Sequence, residues 1–81
     1  MQVPVRYFAA IREQVGTEAE TVELADGATA ADLLARLQAL HPESAGLLGY
    51  SRVAQDNAFL PQTSMVVSGS VADIIPPVSG G

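Results

Sequence analysis

The 81-residue sequence contains no cysteine and no lysine, and it has no long apolar run. Without cysteine there is no disulfide, no thiolate metal site and no nucleophilic thiol, so any sulfur chemistry must use another group. Without lysine, the N-terminal amine is the only one on which the chain could build a polymer of itself. The first residues do not have the basic-then-apolar pattern of a signal peptide, and no stretch approaches the ~20 apolar residues that span a bilayer, so we expect a cytoplasmic protein away from membranes.

Basic residues are scarce as well. The net charge is −5, and the bases are four arginines, Arg6, Arg12, Arg36 and Arg52. A groove that follows a nucleic-acid backbone needs clustered bases, so nucleic acid is not an expected partner. A chain this short buries only about 60–65% of its unfolded surface, which leaves too little core to enclose a deep active site. Function is therefore expected at the surface or at an end.

The apolar periodicity predicts the order strand, strand, helix, strand, strand, strand. Alternation over 2–9 and 20–24 predicts a hairpin with a helical turn over 10–15 in its connection, and Pro4 predicts one weakened ladder position. A helix begins after Thr29, with Asp32 three residues later as a capping partner, and ends before Pro42. Its apolar stripe comprises Leu33, Leu34, Leu37 and Leu40. A short helix over 43–48 and strands over 52–55, 58–60 and 71–75 follow.

This order predicts an α+β fold with one mixed sheet, one main helix packed across a single face, and the two terminal strands side by side. Pro76-Pro77 ends the last strand, because neither proline can donate to a ladder. We therefore expect a domain over 1–77 and a flexible tail over 78–81. The tail extends by at most roughly 14 Å and has no side chain larger than valine, so it could thread a narrow slot. A Gly-Gly end is a weak signal alone, since loose ends are common.

Three segments together are more specific. They are Val5-Arg6-Tyr7-Phe8-Ala9-Ala10-Ile11-Arg12-Glu13 with Gly16-Thr17, then Gly27-Ala28-Thr29 with Leu33-Leu34, and finally Ile74-Ile75-Pro76-Pro77-Val78-Ser79-Gly80-Gly81. With them the chain resembles, over essentially its whole length, the small subunit of molybdopterin synthase, one of the ubiquitin-like sulfur carriers. The resemblance implies a β-grasp fold with a mixed sheet of about five strands.

The resemblance also implies a reaction cycle with no permanently bound cofactor. An adenylating enzyme of the ubiquitin-activating type uses ATP to activate the carboxyl of Gly81, and a sulfur donor then displaces AMP to leave a transient thiocarboxylate. The tail enters the large synthase subunit, where sulfur passes to a cyclic pyranopterin precursor in molybdenum cofactor biosynthesis. In the family, catalytic residues belong to the large subunit, and the expected assembly is a heterotetramer of two small and two large subunits.

The resemblance further implies the contact residues. Phe8, Phe59 and Ile75 fall where the family carries apolar residues that meet partners, and each could equally be an ordinary core or strand residue. Pro76 and Pro77 would set the angle at which Val78, Ser79, Gly80 and Gly81 leave the domain. No metal site is expected, because the single histidine, His41, stands at a helix end and is predicted to face the helix dipole or solvent.

One segment departs from the family pattern. Where the family usually has Asp-Gly-Asp-Glu-Val before the last strand, this chain has Ser68-Gly69-Ser70-Val71-Ala72, so acids that could face a basic partner are missing. Three alternatives to the molybdopterin assignment stay open at this point. They are delivery of sulfur to the thiazole of thiamin, attachment of Gly81 to target lysines as a ubiquitin-like modifier, and a plain interaction module without tail chemistry.

Overall fold

The computed structural model describes residues 1–77, which form five strands and three α-helices. In chain order the elements are β1 (Gln2–Tyr7), α1 (Ala9–Val15), β2 (Ala19–Glu23), α2 (Ala30–Leu40), a 3-10 turn (Pro42–Ser44), α3 (Ala45–Gly49), β3 (Arg52–Gln55), β4 (Ala58–Phe59) and β5 (Ala72–Ile75). None of the helices in this part of the chain has the length and apolar character needed to cross a membrane.

The strands form a single mixed sheet in the order β2-β1-β5-β3-β4. β1 and β5 pair in parallel at its centre, and the other neighbours pair antiparallel. The predicted element order and the adjacency of the terminal strands are thus confirmed. With α2 packed across one face, the arrangement is the β-grasp of ubiquitin-like proteins.

The core lies between α2 and the inner face of the sheet. Leu33 and Leu37 of α2 are fully buried, and they belong to one cluster with Val5 and Ile74 of the central strands. Leu40 differs from the prediction, because it is 41% exposed and lines a shallow cleft beside Gln14 and Val15. The buried stripe therefore ends one turn before the helix does.

The start of α2 is fixed by the capping pair that the sequence predicts. The Asp32 amide donates to Thr29 Oγ1 (3.2 Å), and the Thr29 amide donates to Asp32 Oδ2 (2.9 Å). Two further amides of the first turn, those of Ala30 and Ala31, donate to the carbonyls of Ser64 and Gln62. The loop after β4 therefore satisfies helix donors that would otherwise lack partners.

Pro4 does not weaken the ladder as predicted. The Tyr7 amide donates to the Glu18 carbonyl and the Leu24 amide to the Met1 carbonyl, both at 2.9 Å, and hydrogen-bonded pairs alternate along an antiparallel ladder. By that alternation Pro4 and its partner Thr21 form a pair that exchanges no hydrogen bonds. On its other side, pairing with β5 begins one residue later, at Val5. The amide that proline lacks is not needed there.

A buried glutamine organises the irregular segment before β5. Gln55 is 3% exposed, and its amide nitrogen donates to the carbonyls of Val67 (3.1 Å) and Ser70 (3.0 Å). Its side-chain oxygen accepts from the Val67 amide at 2.7 Å. These three bonds hold the segment against β3, and so they set where β5 begins.

Candidate functional site

An apolar groove opens at the edge of the fold where β5 ends. It encloses about 610 Å³, and every side chain that lines it is apolar: Phe8, Ala9, Ala10, Leu47, Ile75, Pro76 and Pro77. Concave apolar surface of this kind is suited to receiving an apolar group of another molecule. We refer to these seven residues as the apolar groove.

One wall of the apolar groove comes from β5 and the two prolines after it. Along β5 the side chains of Ala72 and Ile74 are buried against the core, so Ile75 takes the opposite side of the strand and is half-buried. Pro76 and Pro77 have no amide hydrogen with which to extend the ladder. Sheet pairing of β5 therefore ends at Ile75, and the described chain leaves the sheet along this wall.

The opposite wall is a turn from strand to helix. Phe8 follows β1 in extended conformation and is the N-cap of α1, while Ala9 has a φ of 51°. This left-handed conformation costs an alanine about 1–2 kcal/mol, and it turns the chain within one residue at the edge of the groove. Leu47 of α3 supplies the remaining large side chain of the lining.

Four of the five residues predicted to meet a partner lie together in the apolar groove: Phe8, Ile75, Pro76 and Pro77. Phe59 does not line it. Phe59 lies on β4 at the far edge of the sheet and is 49% exposed, with the guanidinium carbon of Arg52 3.9 Å from its ring centroid. The role of these residues in binding stays a prediction.

Sequence reasoning missed four residues of this region. Ala9, Ala10 and Leu47 line the groove, and Arg52 stacks on Phe59. The alternation of β3 carries a signal for Arg52, because Val53 is buried and its neighbour must face the other way. No local signal identifies Leu47, whose place depends on how α3 packs against the end of β5.

The predicted tail residues Val78, Ser79, Gly80 and Gly81 lie outside the described residues. The assignments made for them, including the reactive carboxyl of Gly81, remain predictions.

A polar cluster, separate from the apolar groove, joins β1, β2 and the end of α2. Glu20 Oε2 accepts hydrogen bonds from the Tyr7 hydroxyl (2.5 Å) and from His41 Nε2 (2.6 Å). His41 is the C-cap residue of α2, and its ring stands edge-on to Tyr7, with centroids 6.0 Å apart. His41 is therefore a packed helix-end residue bonded to Glu20.

This cluster predicts a loss of stability in alkali. Burial and the hydrogen bond to Glu20 raise the pKa of Tyr7 well above its ordinary value near 10. Above pH ~10 the unfolded chain releases this proton and the folded chain keeps it. Each pH unit above ~10 should therefore lower the free energy of unfolding by about 1.4 kcal/mol through Tyr7. Below pH ~10 Tyr7 is protonated in both states, and its full contribution to stability is present.

Urea unfolding between pH 8 and pH 11 measures this slope. Tyr7→Phe removes the titrating group, so it should flatten the alkaline decline even though it loses the bond to Glu20. The slopes of the two proteins can be compared directly, because the chain has no lysine or cysteine side chain that titrates in the same pH range. An equal slope in the two proteins would contradict the prediction.

The chain is similar in sequence to known proteins. The model of the ThiS family matches residues 5–81. The molybdopterin synthase sulfur carrier subunit of Chlamydomonas reinhardtii is 40% identical over an alignment of 83 positions, which covers the whole of both chains.

Two solved structures agree on the fold. The crystal structure of SAMP1 from Haloferax volcanii covers all of both chains with a TM-score of 0.83 at 22% identity. A protein-protein complex of subunits 1 and 2 of molybdopterin-converting factor from Helicobacter pylori contains a chain with a TM-score of 0.68 at 26% identity, again over all of both chains. On the match of residues 5–81 and the full-length relative, this chain belongs to the ThiS family.

Proposed function

We propose that this chain is the sulfur carrier subunit of a molybdopterin synthase. The observation that carries the proposal is the likeness to the Chlamydomonas subunit of that function, 40% identical over the whole of both chains. The apolar groove supports it, because a carrier needs a surface by which another protein can hold it while its tail reacts.

The reacting group of the proposal is the carboxyl of Gly81. A carboxylate is a poor electrophile at neutral pH, so an adenylating enzyme of the ubiquitin-activating type first joins it to the AMP moiety of ATP, with release of pyrophosphate. A sulfide equivalent from the sulfur donor then attacks the acyl carbon, and AMP leaves with the bonding electrons. The product is a thiocarboxylate, whose sulfur is a far better nucleophile than the oxygen it replaces.

The docking partner of the proposal is the large synthase subunit. The solved complex from Helicobacter pylori joins subunits 1 and 2 of a molybdopterin-converting factor, and its matching chain has the fold described above. With the apolar groove against such a partner, four residues from Val78 to Gly81 would span up to roughly 14 Å from the docking surface. The carrier then supplies a nucleophile, and the partner supplies the substrate site and the catalytic residues.

Sulfur transfer in the proposal ends with the carrier regenerated. The thiocarboxylate sulfur attacks a carbon of the cyclic pyranopterin precursor and displaces an oxygen substituent, which leaves with the electrons of its carbon–oxygen bond, and water then cleaves the acyl–sulfur bond to restore the carboxylate of Gly81. Because the dithiolene product holds two sulfurs, each product needs two loaded carriers. We infer a heterotetramer of two small and two large subunits from this family resemblance.

Intact-mass spectrometry tests the proposal. The chain is incubated with ATP, its native adenylating enzyme and a sulfur donor, and we expect replacement of one oxygen by sulfur at the C-terminus. Omission of ATP is the matched control and should leave the mass unchanged. If no sulfur-bearing species forms and the chain instead becomes attached to lysines of other proteins, the modifier alternative replaces this proposal.

A further inference from the structure

The outer face of the sheet, opposite α2, carries two arginines. Arg6 of β1 is paired in register with Asp73 of β5, and Asp73 with Ala54 of β3. Arg52 of β3 is paired in register with Ile75 of β5. Arg6 and Arg52 therefore lie on one surface, which continues at Ile75 into the apolar groove.

The charge of Arg6 is already balanced within the fold. Its Nε donates to Asp73 Oδ1 at 2.8 Å and its Nη2 to Asp73 Oδ2 at 3.1 Å, which is the two-pronged geometry of a guanidinium and a carboxylate. The hydrogen bond and the charge of Asp73 raise the pKa of Arg6 further. A partner gains little by offering a second acid to this residue.

Arg52 differs, because within residues 1–77 no carboxylate lies within 4 Å of its guanidinium. Its guanidinium carbon is 3.9 Å from the centroid of the Phe59 ring. Stacking engages the flat side of a guanidinium, while the N–H donors point outward in its plane. The stack thus restricts the side chain and leaves its donors available to another molecule.

The position of Arg52 matters because two predicted contact residues flank it. Ile75 is its partner in register and Phe59 lies beneath it. A purely apolar partner that covered this surface would remove the hydration of an unpaired cation, which is strongly unfavourable. A partner that placed a carboxylate in the guanidinium plane would restore the lost hydrogen bonds.

We propose that Arg52 is a specificity-determining residue, and that the large subunit meets the outer face with apolar side chains plus one Asp or Glu carboxylate that pairs with Arg52. This inference rests on the proposed function. Charge complementarity favours a protein acid over a phosphate, since the chain has a net charge of −5 and the other arginine on this face is occupied by Asp73. The pairing selects partners that carry the acid and disfavours those with a base or a bare apolar surface there.

Titration calorimetry of the full chain against the purified large subunit, at several salt concentrations, tests the inference. Arg52→Gln keeps a long polar side chain over Phe59 but removes the charge, and we expect binding weaker by about tenfold to hundredfold. The affinity of the variant should also depend less on salt, because one charge pair is gone. Arg52→Lys keeps the charge without the planar guanidinium, so its affinity should lie between those of the wild type and Arg52→Gln.

Arg36→Gln is the matched control. It makes the same change in net charge at an exposed position of α2, on the opposite side of the molecule, and should bind like the wild type. Urea unfolding of each variant verifies that the fold is retained. If the wild type itself does not bind the large subunit, the proposed function fails. If the wild type binds and Arg52→Gln matches Arg36→Gln in affinity and salt dependence, the Arg52 inference is overturned while the function stands.

Discussion

Deletion of Gly81 should abolish sulfur transfer while binding of the large subunit stays close to that of the full chain. The apolar groove ends at Pro77, so the deletion leaves every described docking residue in place. The new terminal carboxyl, on Gly80, lies one residue short, which is about 3.3–3.6 Å of chain. Displacements of ~1 Å can already cost a hundredfold in rate when reacting groups must be held in contact.

Two measurements on the same variant separate chemistry from docking in this experiment. Product formation from the pyranopterin precursor reports sulfur transfer, and calorimetry with the large subunit reports binding. Gly81→Ala serves as the length-matched control, since it keeps the carboxyl at the same distance and adds only a methyl group. A deletion variant that transfers sulfur at the wild-type rate would contradict the proposal. If the full chain and the deletion variant bind alike and neither transfers sulfur, a plain interaction module would be favoured.

The parts of the fold that the sequence predicts well are those with a strong local signal. Alternating residues in β1 and the leucine repeat of α2 report which side is buried, because a buried face must be apolar at the period of its element. The Thr29–Asp32 pair forms both hydrogen bonds of the predicted cap. Leu40 continues the period but is exposed, because periodicity does not show where the opposing core ends.

The parts that sequence could not supply depend on contacts between distant segments. Whether Pro4 weakens the sheet depends on whether its pair with β2 is a hydrogen-bonded or a non-hydrogen-bonded one, and no property of residues 2–9 alone decides this. The same is true of the groove, where Leu47 meets a wall formed by residues almost thirty positions later. The sequence marks Gln55 only as the last residue of a strand, yet its buried amide holds the segment from Val67 to Ser70.

The candidate site shows the same division. The family resemblance implies a contact region that includes Phe8, Ile75, Pro76 and Pro77, and the structure brings these four residues into one groove. The resemblance places Phe59 with them, but Phe59 lies across the sheet and is linked to them through Arg52. In the sequence Arg52 is only one of four bases, because its significance lies in having Phe59 below it and no acid beside it within the described fold.

Phe8→Ala should weaken binding of the large subunit by about thirtyfold to a thousandfold, which corresponds to roughly 2–4 kcal/mol for an aromatic anchor in a desolvated pocket. Phe8 is half-buried and forms one wall of the groove, so truncation removes contact area from both docking and folding. It makes no side-chain cap for α1, and its loss therefore leaves the start of that helix unchanged. Calorimetry measures the affinity, and urea unfolding measures the smaller loss of stability.

Met65→Ala is the control for Phe8→Ala, because it also truncates a large apolar side chain. Met65 is 65% exposed and forms an isolated β-bridge with Thr29 near the start of α2, away from the groove. It should leave the affinity unchanged. Leu47→Ala tests the groove independently, since no sequence motif identified that residue, and it should weaken binding in the same direction as Phe8→Ala. If Leu47→Ala and Phe8→Ala both bind like Met65→Ala, the carrier docks through another surface, and the apolar groove is only a gap between α3 and the end of β5.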